Sequence, residues 1–266
     1  MEETIIKALV NKGGLYEAKV YLPNMSRIAK QNFQTLADVK SRLLADDTLA
    51  LESLLLSAFE RAGAGRARYG EHAVQVLRQA AGSNLQKFLG NPNALPLCWR
   101  DFEAICNKNG VGVNERLNRG VLEGLISLAG QHGNLFNHIG KFLPGQIEQA
   151  FLELIQIKGI GEKIASFLLR DTVWVHGVEG TIHFNNRLYL QPIDRWVKRV
   201  AQSLWSDLKN ESVPSWIISK RIAEACEHYK VSGIKFNQGA WYLGAIESKT
   251  VTALDRKLQS IKAGAY

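Results

Sequence analysis

Cysteine is scarce in this sequence, and the little there is forms no pattern. Cys98, Cys106 and Cys226 are the only three among 266 residues. So sparse and odd a set excludes a disulfide framework and reads as reduced thiols of an intracellular chain. It also excludes the four-cysteine spacing of an iron–sulfur cluster or a structural zinc site. Long apolar runs are missing too: no uncharged stretch approaches the roughly 18 residues a spanning helix needs, so no membrane role is expected. The start, MEETIIKALVNKGG, carries acids and lacks a long apolar core, unlike a secretory signal. Fixed-period repeats and low-complexity tracts are absent.

What the chain has is positive charge and helical periodicity. Its formal net charge is +8 and its pI about 9.4. A balance of this size points to a polyanionic partner and says nothing of fold. The 46% hydrophobic content suffices for one sizeable core or two smaller ones. Apolar spacing of three and four runs through TLADVKSRLL, TLALESLLLSAFERA, EHAVQVLRQAA, WRDFEAICNK and NERLNRGVLEGLISLAGQHG. It returns in GQIEQAFLELIQI, EKIASFLLRDTVW, IDRWVKRVAQSLW, PSWIISKRIAEACEHYK and NQGAWYLGAI. The fold class is therefore all-α, and a chain this long predicts two helical lobes. One segment breaks the pattern. VWVHGVEGTIHFNNRLYLQP, from Val173 to Pro192, alternates β-branched and aromatic residues around Glu179-Gly180. It fits a short β-hairpin near 173–190 or an irregular insert.

The segment that bears on function is LIQIKGIGEKIASFLLRD, Leu154 to Asp171. Gly159 and Gly161 sit between two apolar-periodic runs, with Ile157 and Ile160 placed to anchor a turn and Lys158 to face out. Glycine permits unusual backbone angles and close approach of another chain. The turn runs straight into a helix, so the amides of Gly161, Glu162 and Lys163 form an anion site suited to phosphate. A plain helix–helix corner is the alternative for any isolated Gly-x-Gly. Lys163 is an odd choice there, because the helix dipole disfavours its ammonium form. Nearby basic residues and partial burial would act in the same sense, and a neutral lysine is a nucleophile. In QPIDRWVKRV, Asp194 opens an amphipathic helix. It suits an N-cap, which holds a carboxylate fixed and ionised.

Together, LIQIKGIGEKIASFLL and PIDRWVKRV resemble the helix-hairpin-helix DNA glycosylase superfamily. Ile193-Asp194 and Arg199-Val200 match its Asp-bearing helix. Lys163 matches the lysine that bifunctional members carry two residues after the second hairpin glycine. Weaker likeness extends upstream through LESLLLSAF and NERLNRGVLEGLISLAGQHG, so the match covers residues 46 to 200. The missing cluster cysteines put the chain with the cluster-free branch, such as the 8-oxoguanine glycosylases. Phe59 stands where the family often has glutamine, and the interval from Lys163 to Asp194 exceeds the usual one.

The resemblance implies a base-excision repair enzyme with glycosylase and AP lyase activity. It would remove a damaged base, an oxidised purine such as 8-oxoguanine, through a Schiff base on Lys163, with Asp194 as the second catalytic residue. Gly159, Gly161, Lys158 and Glu162 would bind DNA phosphate. Phe59, Arg66, Arg68, Trp174 and Trp216 are candidates for base or strand contacts. The implied layout is a barrel-like domain at 46–157. A second domain, 1–45 plus 158–266, would carry the hairpin end, Lys163 and Asp194, with an active cleft between the two. The implied partner is double-stranded DNA with a damaged base or abasic site. A monomer is expected, in the cytoplasm, at the nucleoid if the cell is prokaryotic. No metal or other cofactor is expected beyond a monovalent cation at the hairpin. His132, His138, His176 and His183 show no helix-spaced ligand pair and read as surface or satisfied polar residues. Asp171 reads as a helix-terminal surface acid. A non-catalytic helix-hairpin-helix DNA-binding module is the alternative.

Overall fold

A computed structural model describes residues 2–59, 68–82 and 84–264. Every regular element among them is helical, as the apolar spacing predicts. In chain order they are α1 (Glu2–Tyr16), α2 (Leu22–Ala29), α3 (Leu36–Ala45), α4 (Asp47–Phe59) and α5 (Arg68–Ala81). There follow α6 (Leu85–Leu89), α7 (Ala94–Lys108), α8 (Gly120–His132), α9 (Leu135–Lys141) and α10 (Ile147–Gln156). The last are α11 (Glu162–His176), α12 (Arg195–Leu204), α13 (Ser215–His228), α14 (Gly233–Tyr242) and α15 (Val251–Lys262). None of these helices is long and apolar enough to cross a membrane.

The chain divides into two compact units, Met25–His176 and Met1–Asn24 with Gly177–Tyr266. Two helical lobes are thus present, but their boundary corrects the expected one. Residues 25–45 belong with the internal unit because α3 buries Val39 and Leu43 and packs on α4, α9 and α11. The hairpin end and Lys163 belong there too, since α11 packs on α3, α4, α9 and α10. Asp194 lies in the other unit.

In the internal unit α4 is the central element. Its sequence is apolar nearly all round, and eight of its apolar side chains, from Leu49 to Phe59, are buried. Such a helix has no face to give to water and belongs in a core. Its one buried acid, Glu52, takes two hydrogen bonds of 2.6 Å from the Arg78 guanidinium. In the other unit α1 and α14 touch backbone to backbone. A Cβ on Gly239 would stand 1.8 Å from the Leu9 carbonyl oxygen, so no larger residue fits that crossing. Trp196, Val197, Val200 and Ala201 of α12 complete this core with α13 and α15.

The β-hairpin expected near 173–190 does not form. Helix α11 continues through Val173, Trp174 and Val175, all buried, and ends at Gly177 with φ +73°. Two 3-10 turns, Glu179–Thr181 and Phe184–Leu190, follow. The β-branched residues that suggest a strand sit on a helix buried all round, where alternation carries no signal. Glu179 is in a turn, as its place beside Gly180 predicts, and its side chain is drawn to the start of α14. Its carboxylate accepts from the Ile234 amide at 2.9 Å and from the Ser232 hydroxyl at 2.5 Å.

Candidate functional site

The Gly159–Gly161 turn forms as the spacing predicts, and the structure shows why each residue is needed. Helix α10 ends at Ile157, and the Ile160 amide donates back to the Ile157 carbonyl at 2.9 Å. Ile160 is buried, and Ile157 seats against Gly124 of α8. Gly159 has φ +95°, and a Cβ there would lie 2.4 Å from the Leu117 carbonyl oxygen. Both constraints exclude any other residue. Gly120 at the start of α8 closes the same contact: its Cβ would meet the Lys158 carbonyl at 2.3 Å. The turn is therefore pressed, backbone on backbone, against the junction of α8 with the preceding residues 115–119. That junction is a single π turn, capped by Asn114 through the Leu117 amide and tied by the buried Asn118 side chain to the Asn114 amide. π turns of this kind recur at functional sites.

Gly161 differs from Gly159. It is exposed, and a Cβ on it would meet nothing within 4 Å. The space in front of it is open, and the first amides of α11 lie beside it. The Ile164 and Ala165 amides already donate to the Gly161 carbonyl, at 2.9 and 3.0 Å. The amides ahead of them are the ones a helix leaves without an internal acceptor. Lys158, Glu162 and Lys163 are all exposed around this opening. Arg116, which the sequence did not single out, is exposed on the π turn that abuts it. The arrangement presents backbone N–H groups and two lysines to an external anion. The exposure of Lys163 corrects one expectation, that partial burial favours its neutral form.

In the other unit Asp194 caps α12. Its Oδ1 accepts from the amides of Trp196 and Val197 at 2.9 Å each, while Oδ2 is buried off the cap. Arg199, the arginine of the resembling helix, pairs with Asp255 of α15 through bonds of 2.8 and 2.5 Å. It is committed to joining two helices.

The candidate base and strand contacts divide sharply. Phe59 is fully buried, its ring 5.5 Å from Phe102 and 6.4 Å from Tyr69. It is a core residue, because the helix end that carries it faces α5 and α7. Trp174 is likewise buried inside α11. Trp216 is 57% exposed and Arg68 exposed, so both are accessible from outside. Arg66 lies outside the described residues. Asp171 is neither terminal nor on the surface. It sits in mid-helix, buried, and its Oδ1 accepts from Arg170 Nε and Nη2 at 2.8 Å each.

The histidines are surface or satisfied polar residues, as the sequence predicts: His132 and His183 are exposed, and His138 and His176 have hydrogen-bond partners. His138 is buried and His176 half-buried, and burial lowers the His176 pKa from its ordinary value. His132 and His138 come together with Glu153 although no helical spacing relates them. The three thiols are free and buried. Loss of hydration pushes Cys98 and Cys226 up to about 12 and Cys106 up to about 11. Burial keeps these thiols protonated and away from solvent, as structural cysteines are. No family model matches this chain, and no curated protein or solved structure matches it either.

Proposed function

We propose that the protein is a DNA glycosylase with AP lyase activity, acting on duplex DNA that carries a damaged base. The observation that carries this is the open start of α11, where exposed amides and two lysines surround a glycine turn braced from behind. A phosphate of the DNA backbone is the anion that such a turn suits in a basic protein. Contacts of this kind hold the duplex without reading bases. The damaged nucleotide is extruded from the stack, at a cost of about a few kcal/mol. The Lys163 amine then attacks the anomeric carbon of its deoxyribose and the base leaves with the bonding electrons. The second catalytic role, an anion that offsets the cationic sugar or takes up the proton that the lysine sheds, is the one we propose for Asp194 on the resemblance of its helix. Ring opening leaves an iminium on Lys163, and loss of the neighbouring carbon-bound proton expels the 3′ phosphate by β-elimination. An oxidised purine such as 8-oxoguanine is the proposed substrate.

The test is borohydride trapping on abasic-site DNA. Wild-type protein should give a covalent complex that Lys163→Gln abolishes, with both proteins compared at concentrations that saturate the duplex. A wild-type protein that traps no complex at any concentration overturns the enzyme. A panel of duplexes, each with one lesion, then identifies the base. The exposure of Lys163 favours a second reading, a non-catalytic module in which this lysine only pairs with phosphate. It predicts salt-sensitive binding without any adduct.

A further inference from the structure

We propose that His132, His138 and Glu153 bind one divalent cation of the zinc class. The three come from different helices of the internal unit. His132 is the last residue of α8, His138 lies on α9 and Glu153 on α10. Gly133, at φ +73°, ends α8 and turns the chain, and Asn134 begins α9. The Asn134 side chain fixes that turn from both sides. It accepts from the Asn137 amide at 2.9 Å and donates to the Leu43 carbonyl at 2.8 Å. The two imidazoles are thereby stacked, centroids 3.8 Å apart and planes within 12°.

Both rings turn Nε2 toward the same carboxylate. His138 Nε2 lies 2.7 Å from Glu153 Oε2, a hydrogen bond. His132 Nε2 lies 3.8 Å from Oε1, beyond hydrogen-bond range. That second distance is in ion-pair range if His132 is protonated, and it also places two ligands of one ion near each other. Bonds of about 2.0–2.1 Å at tetrahedral angles place ligand atoms about 3.3 Å apart. The potential ligand atoms here all lie within 4.8 Å of one another, so the widest gap closes by about 1.5 Å, and the stacked rings rotate apart to bring both in-plane Nε2 lone pairs onto one ion. Two imidazoles and one carboxylate favour zinc and its borderline neighbours over magnesium or calcium, which prefer all-oxygen shells. Three protein ligands leave a fourth position for water. Access is open, since the His132 and Glu153 side chains are 35% and 27% exposed. His132 also lines a surface depression of about 540 Å³. The assignment is independent of any action on DNA.

The experiment uses the full chain without an affinity tag, stripped with chelator and titrated with Zn²⁺ alone by calorimetry. Wild-type protein should bind one ion, and Co²⁺ in its place should give the visible absorption of a low-coordinate site. His132→Ala and Glu153→Gln should each weaken binding by at least about 100-fold, more than the loss of an outer-shell partner costs. His183→Ala, which alters an exposed histidine elsewhere, should bind as wild type does. Saturating Zn²⁺ should raise the Tm of wild type and leave that of His132→Ala in place. Absence of stoichiometric binding, or equal affinity in wild type and both ligand variants, overturns the proposal.

Discussion

The starts of α11 and α12 face the same physical problem and meet it in opposite ways. Each helix begins with amides that have no acceptor within the helix and with the positive end of its dipole. At α12 the chain supplies the anion itself, and Asp194 Oδ1 takes two of those hydrogens at 2.9 Å. At α11 the residue in the capping position is Gly161, which has no side chain to offer, and the opening in front of it is clear. One start is closed from within and contributes stability; the other is left open. The α11 turn also differs in its support, since Gly159 and Gly120 press it against the residues that begin α8. A turn left open in front needs such a rigid back wall, because its front makes no contact that would hold it.

Substitutions can break this contrast or sharpen it. The largest effect is expected from Gly159→Ala. A positive φ costs about 1–3 kcal/mol for a non-glycine residue, and the new methyl would also run into the Leu117 carbonyl. A loss of about 3 kcal/mol or more in denaturant unfolding is expected. A loss below about 1 kcal/mol would show that the turn is not backed as described. Asp194→Ala should cost about 1 kcal/mol, the usual worth of a cap, whereas Asp194→Asn should cost little because asparagine caps as well. If Asp194→Asn keeps the stability but loses the trapped adduct, the carboxylate charge serves the chemistry and the cap alone does not. Gly161→Ala should change stability least, by under about 1 kcal/mol, because its methyl meets nothing. It should nonetheless weaken duplex binding in low-salt fluorescence anisotropy, since the methyl occupies the approach to the amides. Unchanged affinity would mean that no anion is held there.

Local features were legible in the sequence where a residue's role depends on its own neighbours. The turn glycines, the buried Ile160, the outward Lys158 and the Asp194 cap all follow from short-range spacing and backbone chemistry. Roles set by distant partners were not legible. Phe59 ends an apolar helix, and its contacts with Phe102 and Tyr69 on two other helices make it core. Arg170 and Asp171 satisfy each other inside the protein, where sequence alone expects a solvated acid. Val173 to Val175 look like a strand because burial on every side erases the helical period. The His132–His138–Glu153 group is invisible to any search for regular spacing, since a tight turn and a third helix assemble it. The one available cue was the Gly133-Asn134 pair, which predicts a sharp reversal between two histidines.

The amino-acid order by itself determined that this protein is helical, basic and furnished with a glycine turn opening a helix. Those properties come from periodicity, composition and the backbone freedom of single residues, all local or additive quantities. Only the tertiary structure decided which charges are buried in pairs, which aromatics remain exposed and which polar side chains converge. Those outcomes depend on which surfaces meet, and one buried contact between distant helices outweighs any preference a short segment can express.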